Sequence, residues 1–211
     1  TQMGIPSPMM SQQVQVNAIP TATFAAPATV CLNQDAVFTY TGNASASATY
    51  AWSFGNATTT ASTPGVSYTA NFNAGGSQNV SLMVTENGCV STISNTSVFV
   101  QDIPTSSFAA GTNVCSGDAI QVNYTGNADA TASYSWDFGG GTIISGSGSG
   151  PFSIVYDTGG VYSITLAVSY GGCTSVETIE NTTIRHIPSA TFSLVGSSCA
   201  GDSAYVNYTG N

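Results

Sequence analysis

Polar and apolar residues alternate along most of this chain with a period of two, the period of a β-strand, whose successive side chains point to opposite faces. Ile120, Val122 and Tyr124 alternate with Gln121 and Asn123, Phe152, Ile154 and Tyr156 repeat the pattern, and Tyr162, Ile164, Leu166 and Val168 make the longest run. Tyr134, Trp136 and Phe138 place three aromatic rings on one face of a strand that leaves through Gly139, Gly140 and Gly141. Turn signals separate these runs: Thr125-Gly126-Asn127, Asp157-Thr158-Gly159-Gly160, and Tyr170-Gly171-Gly172 before a returning strand from Cys173 to Ile184. The Gly/Ser-rich stretch 139–150 reads as a loop or a meandering edge. No stretch shows helical spacing. Short strands with turns between them and no helix predict an all-β antiparallel sandwich.

The same pattern occurs earlier in the chain. Ala36, Phe38 and Tyr40, then Tyr50, Trp52 and Phe54, then Val80, Leu82 and Val84 echo the runs above at a fixed offset, which Cys31 and Cys115 give as 115 − 31 = 84. Cys89 and Cys173, Cys115 and Cys199, and Trp52 and Trp136 keep the same step. Ile19-Pro20, Ile103-Pro104 and Ile187-Pro188 recur with it, as do Tyr40-Thr41-Gly42-Asn43, Tyr124-Thr125-Gly126-Asn127 and Tyr208-Thr209-Gly210-Asn211. A period of this length is a whole domain rather than a solenoid turn. The expected organisation is the C-terminal end of a preceding repeat at 1–18, full repeats at 19–102 and 103–186, and the N-terminal part of a following repeat at 187–211. Thr1, Gly4, Ser7, Val14 and Val16 fall in register with Thr85, Gly88, Ser91, Val98 and Val100, so the tail is expected to be strand-like. A long covalent array is the expected context, with filament formation by strand exchange between copies second.

Composition narrows the partners. The chain has one arginine, Arg185, no lysine and ten acids, for a net charge of −9. Nucleic-acid binding rests on basic side chains neutralising phosphates, and anionic membrane surfaces attract the same groups, so neither partner is expected. No apolar run is long enough to span a bilayer as a helix.

The five cysteines sit singly at repeat positions, without the closely spaced pairs of a zinc site. They predict bridges Cys31–Cys89 and Cys115–Cys173, with Cys199 unpaired within the sequence, and hence an oxidising, extracytoplasmic setting. Ile5 occupies the cysteine position of the preceding repeat, which is expected to lack the bridge.

Other chemistry is sparse. Asp137 with Asp157 or Asp118 offers carboxylates for calcium, but the first repeat places Ser53, Asn73 and Gln34 there, and Asp137 serves equally as a cap on the glycine turn. His186 is the only histidine and lies in a linker, so no repeat holds the base that an activated nucleophile needs. No enzyme activity, cofactor or metal is expected. Asn-x-Ser/Thr triplets start at Asn43, Asn56, Asn79, Asn95, Asn123, Asn181 and Asn207.

Tyr134-x-Trp136-Asp137-Phe138-Gly139 followed by Gly160-x-Tyr162-Ser163-Ile164-Thr165-Leu166-x-Val168 resembles the PKD domain, an immunoglobulin-like β-sandwich with a Trp-Asp-Phe-Gly-Asp-Gly strand exit. Gly140 stands where that motif has its second Asp, and the first repeat, with Ser53 and Asn56-Ala57, has neither Asp. The cysteine positions resemble the variant of Bacteroidetes surface proteins, including gliding-motility adhesins and cargo of the type IX secretion system. Asp202-Ser203-Ala204 resembles the O-glycosylation pattern of that group, which makes Ser203 a candidate acceptor. The resemblance implies a structural tandem-repeat stalk or filament of a secreted, adhesive bacterial surface protein, whose partners are neighbouring repeats or other copies. The alternative is a set of carbohydrate-binding modules in which exposed aromatics grip a surface glycan. Burial of Trp52 and Trp136, the expected core aromatics, would remove its best candidates.

Overall fold

A computed structural model describes residues 9–63, 66–196 and 199–210 of the chain. It divides into two compact units, Thr1–Asp102 and Ile103–Asn211. Among the described residues every regular element is a strand.

Unit 1 comprises β1 (Phe24–Ala25), β2 (Thr29–Cys31), β3 (Asp35–Tyr40), β4 (Thr49–Ser53), β5 (Thr58–Thr63), β6 (Ser67–Asn71), β7 (Gly76–Glu86), β8 (Cys89–Val90) and β9 (Ser94–Gln101). They form a four-stranded sheet ordered β1-β3-β6-β5 and a second sheet ordered β2-β9-β7-β4, with β8 on the end of β7. Unit 2 repeats this with β10 (Phe108–Ala110), β11 (Val114–Cys115), β12 (Ala119–Tyr124), β13 (Ser133–Asp137), β14 (Thr142–Ser145), β15 (Phe152–Val155), β16 (Gly160–Tyr170), β17 (Cys173–Thr174) and β18 (Thr178–Arg185). Its sheets are ordered β10-β12-β15-β14 and β11-β18-β16-β13, with β17 on β16. A further hairpin, β19 (Phe192–Val195) and β20 (Tyr205–Tyr208), is a two-stranded sheet.

The first strand of each unit breaks in two and changes sheet. β1 runs antiparallel to β3, whereas β2 runs parallel to β9. The break falls at Pro27 in unit 1 and at Gly111 in unit 2, residues that interrupt a ladder through a missing N–H and a missing side chain respectively. In unit 2 the buried Thr182 hydroxyl donates to the Gly111 carbonyl at 2.6 Å, so the exposed backbone of the break is satisfied. Unit 1 has Val98 at the position of Thr182 and has no hydroxyl to place.

The two cores fill the same space with different volumes. Around the central positions unit 1 uses Phe38 with Ala36 and Ala70, and unit 2 uses Val122 with Ile120 and Ile154. One large ring with two methyls is exchanged for three branched aliphatics, a compensated swap of the kind that cores tolerate. Val80, Leu82 and Val84 on β7 match Ile164, Leu166 and Val168 on β16, all fully buried.

Of the two readings of 139–150, the meandering edge is the one found, because Thr142–Ser145 pairs antiparallel with β15 as the edge strand of its sheet. Residues 9–18 form no strand and leave Val14 and Val16 exposed, since a closing strand needs a partner edge to pair with. Thr1, Gly4, Ile5 and Ser7, which carried part of the expected register, lie outside the described residues.

Candidate functional site

The Ile-Pro, Tyr-Thr-Gly-Asn and cysteine motifs that the repeats share lie at the ends of each sandwich. At the end where the chain enters unit 1, the Tyr40 hydroxyl donates to the Thr21 carbonyl at 2.7 Å and accepts from Ala44 N at 2.8 Å. Asn43 Oδ1 accepts from Thr21 N at 2.8 Å, and Thr21 Oγ1 accepts from Asn43 N at 3.2 Å. Unit 2 repeats every bond with Tyr124, Thr105, Ala128 and Asn127. The recurring Ile-Pro-Thr and Tyr-Thr-Gly-Asn segments are therefore two halves of one clamp. Its glycine is steric: a Cβ at Gly42 or Gly126 would overlap the hydroxyl of Tyr40 or Tyr124. Pro20 and Pro104 are buried beneath it, so the Ile-Pro pair is part of the sandwich as well as of the junction.

The cysteines occupy opposite ends, which overturns the expected pairing. Cys31 ends β2 opposite Gln101, at the end where the chain leaves unit 1. Cys89 follows the Asn87-Gly88 turn, both residues at positive φ, and pairs with Glu86 at the far end of β7. Gly76, at the other end of β7, pairs with Val100 beside Cys31, so the eleven residues of β7 separate the two cysteines by about 33 Å. A disulfide requires Cα atoms within about 7 Å. Unit 2 repeats this: Cys115 pairs with Arg185 at the exit, and Cys173 pairs with Tyr170 at the entry hairpin. Accordingly Cys89 and Cys115 are free thiols, whereas Cys31 and Cys173 are disulfide-bonded, and the bridges Cys31–Cys89 and Cys115–Cys173 are absent. Cys199 is free and exposed.

The aromatic strand forms a wall rather than a platform. Trp136 stacks on Phe138 at 5.5 Å and 9° and meets Phe108 and Phe152 edge-on at 5.0 and 5.4 Å. Its indole N–H donates to the Gly148 carbonyl at 3.0 Å. Trp52 stacks on Phe54 in the same way and meets Phe24 edge-on. Phe54 and Phe138 are buried, but Tyr50, Trp52, Tyr134 and Trp136 are half-buried, short of the full burial expected. The reason is amphipathy: each ring packs on the core, and the polar edges of Tyr50, Tyr134 and Trp136 reach backbone at the rim. The Tyr134 hydroxyl, for example, donates to the Asp129 carbonyl at 2.8 Å.

Burial with the neighbouring Tyr124 and Asp129 raises the Tyr134 pKa, and burial with Tyr40 and Glu86 does the same at Tyr50. Tyr156, which donates to the Phe138 carbonyl at 2.7 Å and stacks on Tyr162, is pushed up to about 12, chiefly by burial. Hydrogen bonds from Ser45 lower the Glu86 pKa, and bonds from Thr131 lower that of Asp129.

Against known families, residues 101–184 match the model described as PKD domain. The second unit is a PKD domain. Unit 1 shares its strand order, clamp and register, so both units are immunoglobulin-like PKD repeats. No curated protein matches the chain. Among solved structures the chain is similar to the D00-D0 domain of intimin, at 13% identity over 76% of this chain and 98% of that one, with a TM-score of 0.36. It is also similar to an ICAM-5 D1–D4 ectodomain fragment, at 16% identity, 79% and 47% coverage and a TM-score of 0.45. The Yersinia pseudotuberculosis adhesin InvE gives 16% identity, 78% and 58% coverage and a TM-score of 0.27. At these identities the likeness is one of fold alone.

In the PKD unit Asp137 does the local job of its motif, its Oδ1 accepting from Gly139 N at 2.8 Å. Among the described residues no three His, Cys, Asp or Glu side chains group as metal ligands, and no helix is long and apolar enough to cross a membrane. His186 and Arg185 are exposed, with Arg185 Nη2 donating to Asn113 Oδ1 at 3.5 Å. The asparagines of the seven triplets and Ser203 are all exposed. Sequence reading missed the clamp, although its halves were visible as recurrent motifs.

Proposed function

We propose that this chain is a load-carrying stretch of a tandem-repeat stalk or filament on a secreted bacterial surface protein, with adhesion carried out by other parts of the assembly and neighbouring repeats or further copies as its partners. The observation that carries the reading is the parallel pairing of each unit's entering and leaving strands: Thr29, Val30 and Cys31 with Phe99, Val100 and Gln101, and Val114 and Cys115 with Ile184 and Arg185. Tension along the chain pulls two parallel neighbours in opposite directions, so their bonds are loaded together in shear rather than opened one at a time. Flanking bonds extend the contact, from Leu32 N to the Gln101 carbonyl and from Ser116 N to the Arg185 carbonyl, both at 2.9 Å. The entry clamp ties Thr21 and Thr105 to the opposite sheet's first full strand, which resists peeling from the other end. Scarcity of basic residues leaves Arg185 as the single site for a trypsin-like protease, a composition suited to life outside the cell.

Force spectroscopy on the chain held by its two ends, under reducing conditions so that no disulfide carries the load past a unit, tests this. Each unit should give a distinct unfolding peak, and Ser116→Pro, which removes one donor from the unit 2 contact, should lower only the unit 2 peak. Featureless extension would overturn the proposal. Retention of the chain on insoluble cellulose, chitin or xylan, lost in Trp136→Ala, would favour the carbohydrate-binding alternative instead.

A further inference from the structure

The five cysteines fall into two kinds by their place in the repeat. Cys31, Cys115 and Cys199 are exit cysteines: Cys31 and Cys115 end the short strands β2 and β11, and Cys199 holds the corresponding repeat position after β19. Cys89 and Cys173 are hairpin cysteines, at the entry end of their units. The two oxidised cysteines are one of each kind: Cys31 is an exit cysteine and Cys173 a hairpin cysteine. Neither bonds the other cysteine of its own unit, since Cys89 and Cys115 are free. Both free thiols thus occupy repeat positions at which the equivalent residue is disulfide-bonded. They are partly exposed, and among the described residues the Cys89 thiol has one weak 3.8 Å contact, with the Asn17 carbonyl.

We propose that Cys89 and the exit cysteines Cys115 and Cys199 are covalent coupling points for further units of this repeat, with hairpin cysteines pairing only with exit cysteines. The partner is a second copy of this chain, which presents the complementary thiol. The chemistry is thiol–disulfide exchange with an oxidised dithiol carrier or a small-molecule disulfide as oxidant. The Cys89 thiolate attacks one sulfur of the oxidant and expels the other as thiolate. The exit thiolate of the second copy then attacks Cys89 Sγ, forms the new S–S bond and expels the remaining half. Two thiols lose two electrons and two protons, and the oxidant's disulfide is reduced to two thiols. One-to-one pairing of unlike ends gives head-to-tail growth, except where two copies form both bridges with each other and close as a dimer. The load-bearing reading stands without these links, because a polypeptide backbone carries tension unaided.

The test uses the whole chain, prepared as an equal mixture of unlabelled and 15N-labelled protein, oxidised with glutathione disulfide and resolved on a non-reducing gel. The expected result is a ladder of covalent oligomers whose intermolecular cross-linked peptides join Cys89 to Cys115 or Cys199. Cys89→Ser, which removes the one free hairpin thiol, should abolish the ladder, and so should the double variant Cys115→Ser with Cys199→Ser. Homotypic links such as Cys89–Cys89 appearing as often as mixed ones would overturn the proposal, as would a ladder that survives Cys89→Ser, or free thiols that end only as glutathione adducts. Circular dichroism of each variant establishes that loss of the ladder is not loss of fold.

Discussion

The hairpin β10–β12 and its repeat β19–β20 are the same object in two settings. Phe108 pairs with Tyr124 in the first and Phe192 with Tyr208 in the second, in identical register, and the tyrosine hydroxyl reaches back to the carbonyl of Thr105 or of Ser189. Yet Phe108 is 7% exposed and Phe192 64%, and Val122 is fully buried whereas Val206 is 64% exposed. Register, turn and tyrosine clamp therefore come from local sequence, because they survive where the rest of the sandwich does not cover the pair. Burial is a property of the second sheet. A two-stranded ribbon on its own is marginal in water, so the uncovered copy holds its shape with little of the stabilisation that the covered one receives.

The largest effect that would break this comparison is a truncation made at matching positions. Phe108→Ala should destabilise unit 2 by about 3–5 kcal/mol, the usual range for a buried phenylalanine, whereas Phe192→Ala should stay within about 0.5 kcal/mol. Calorimetric melting of the two variants measures both. Equal losses would mean that β19–β20 is packed against something in solution.

Next in size is the clamp glycine. Gly126→Ala drives a methyl group into the Tyr124 hydroxyl and should cost about 1–3 kcal/mol, as overpacking does, while Tyr124→Phe, which removes the hydroxyl, should cost about 1 kcal/mol. The double variant sharpens the point. With the hydroxyl gone the alanine methyl still overlaps the ring carbons Cζ and Cε2 of residue 124, so the two costs should come close to adding in a double-mutant cycle. A double variant as stable as Tyr124→Phe alone would mean that the hydroxyl, and not the ring, excludes a side chain at position 126.

Whether a feature of this molecule is legible in its amino-acid sequence depends on how local that feature is. The alternation of Ile164, Leu166 and Val168, the aromatic row of Trp136 and Phe138, and the 84-residue register of Cys31 and Cys115 (115 − 31 = 84) follow from short-range pattern, and the β-sandwich follows from them. The cysteine pairing depends on something longer: the number of strands between two positions. In an up-and-down sandwich an odd count leaves two residues at opposite ends and an even count returns them to the same end. Five strands, β12 to β16, lie between Cys115 and Cys173. Of the two readings of 139–150, the loop leaves four and brings the cysteines falsely together, whereas the edge leaves five. Sequence could not choose between them, because the residues of β14, Thr142–Ser145, are all exposed and so show no alternation. The half-burial of Trp52 and Trp136 is hidden for a related reason, since the carbonyl of Gly148 that receives the Trp136 N–H lies in that same Gly/Ser stretch.

The smallest expected effect separates a covered unit from its repeat by pH. Tyr156 lies on the segment after β15 that β19–β20 has no counterpart for, and unit 1 has Phe72 at its position. Its phenol is held neutral in the folded unit, raised from the ordinary 10.0 to about 12 by burial, with Tyr162 and Asp137 adding to the effect. The sign follows from linkage: the unfolded chain gives up this proton near pH 10, the folded one near pH 12. The contribution to stability is complete below pH 10 and is lost progressively as pH rises from there through 12. Tyr50 and Tyr134 are raised at matching positions of the two units, so they shift both melts in the same direction and leave Tyr156 as the difference. On raising pH from 9 to 11, unit 2 should therefore lose more stability than unit 1. Tyr156→Phe should remove that excess while costing about 1 kcal/mol at neutral pH through the lost bond to the Phe138 carbonyl. The reciprocal Phe72→Tyr should transfer alkaline sensitivity to unit 1. Melting curves recorded between pH 7 and 11.5, followed by calorimetry, check both. An unchanged alkaline slope in Tyr156→Phe would mean that the phenol is hydrated in solution and that the β15 edge of the sandwich opens more readily than its packing implies.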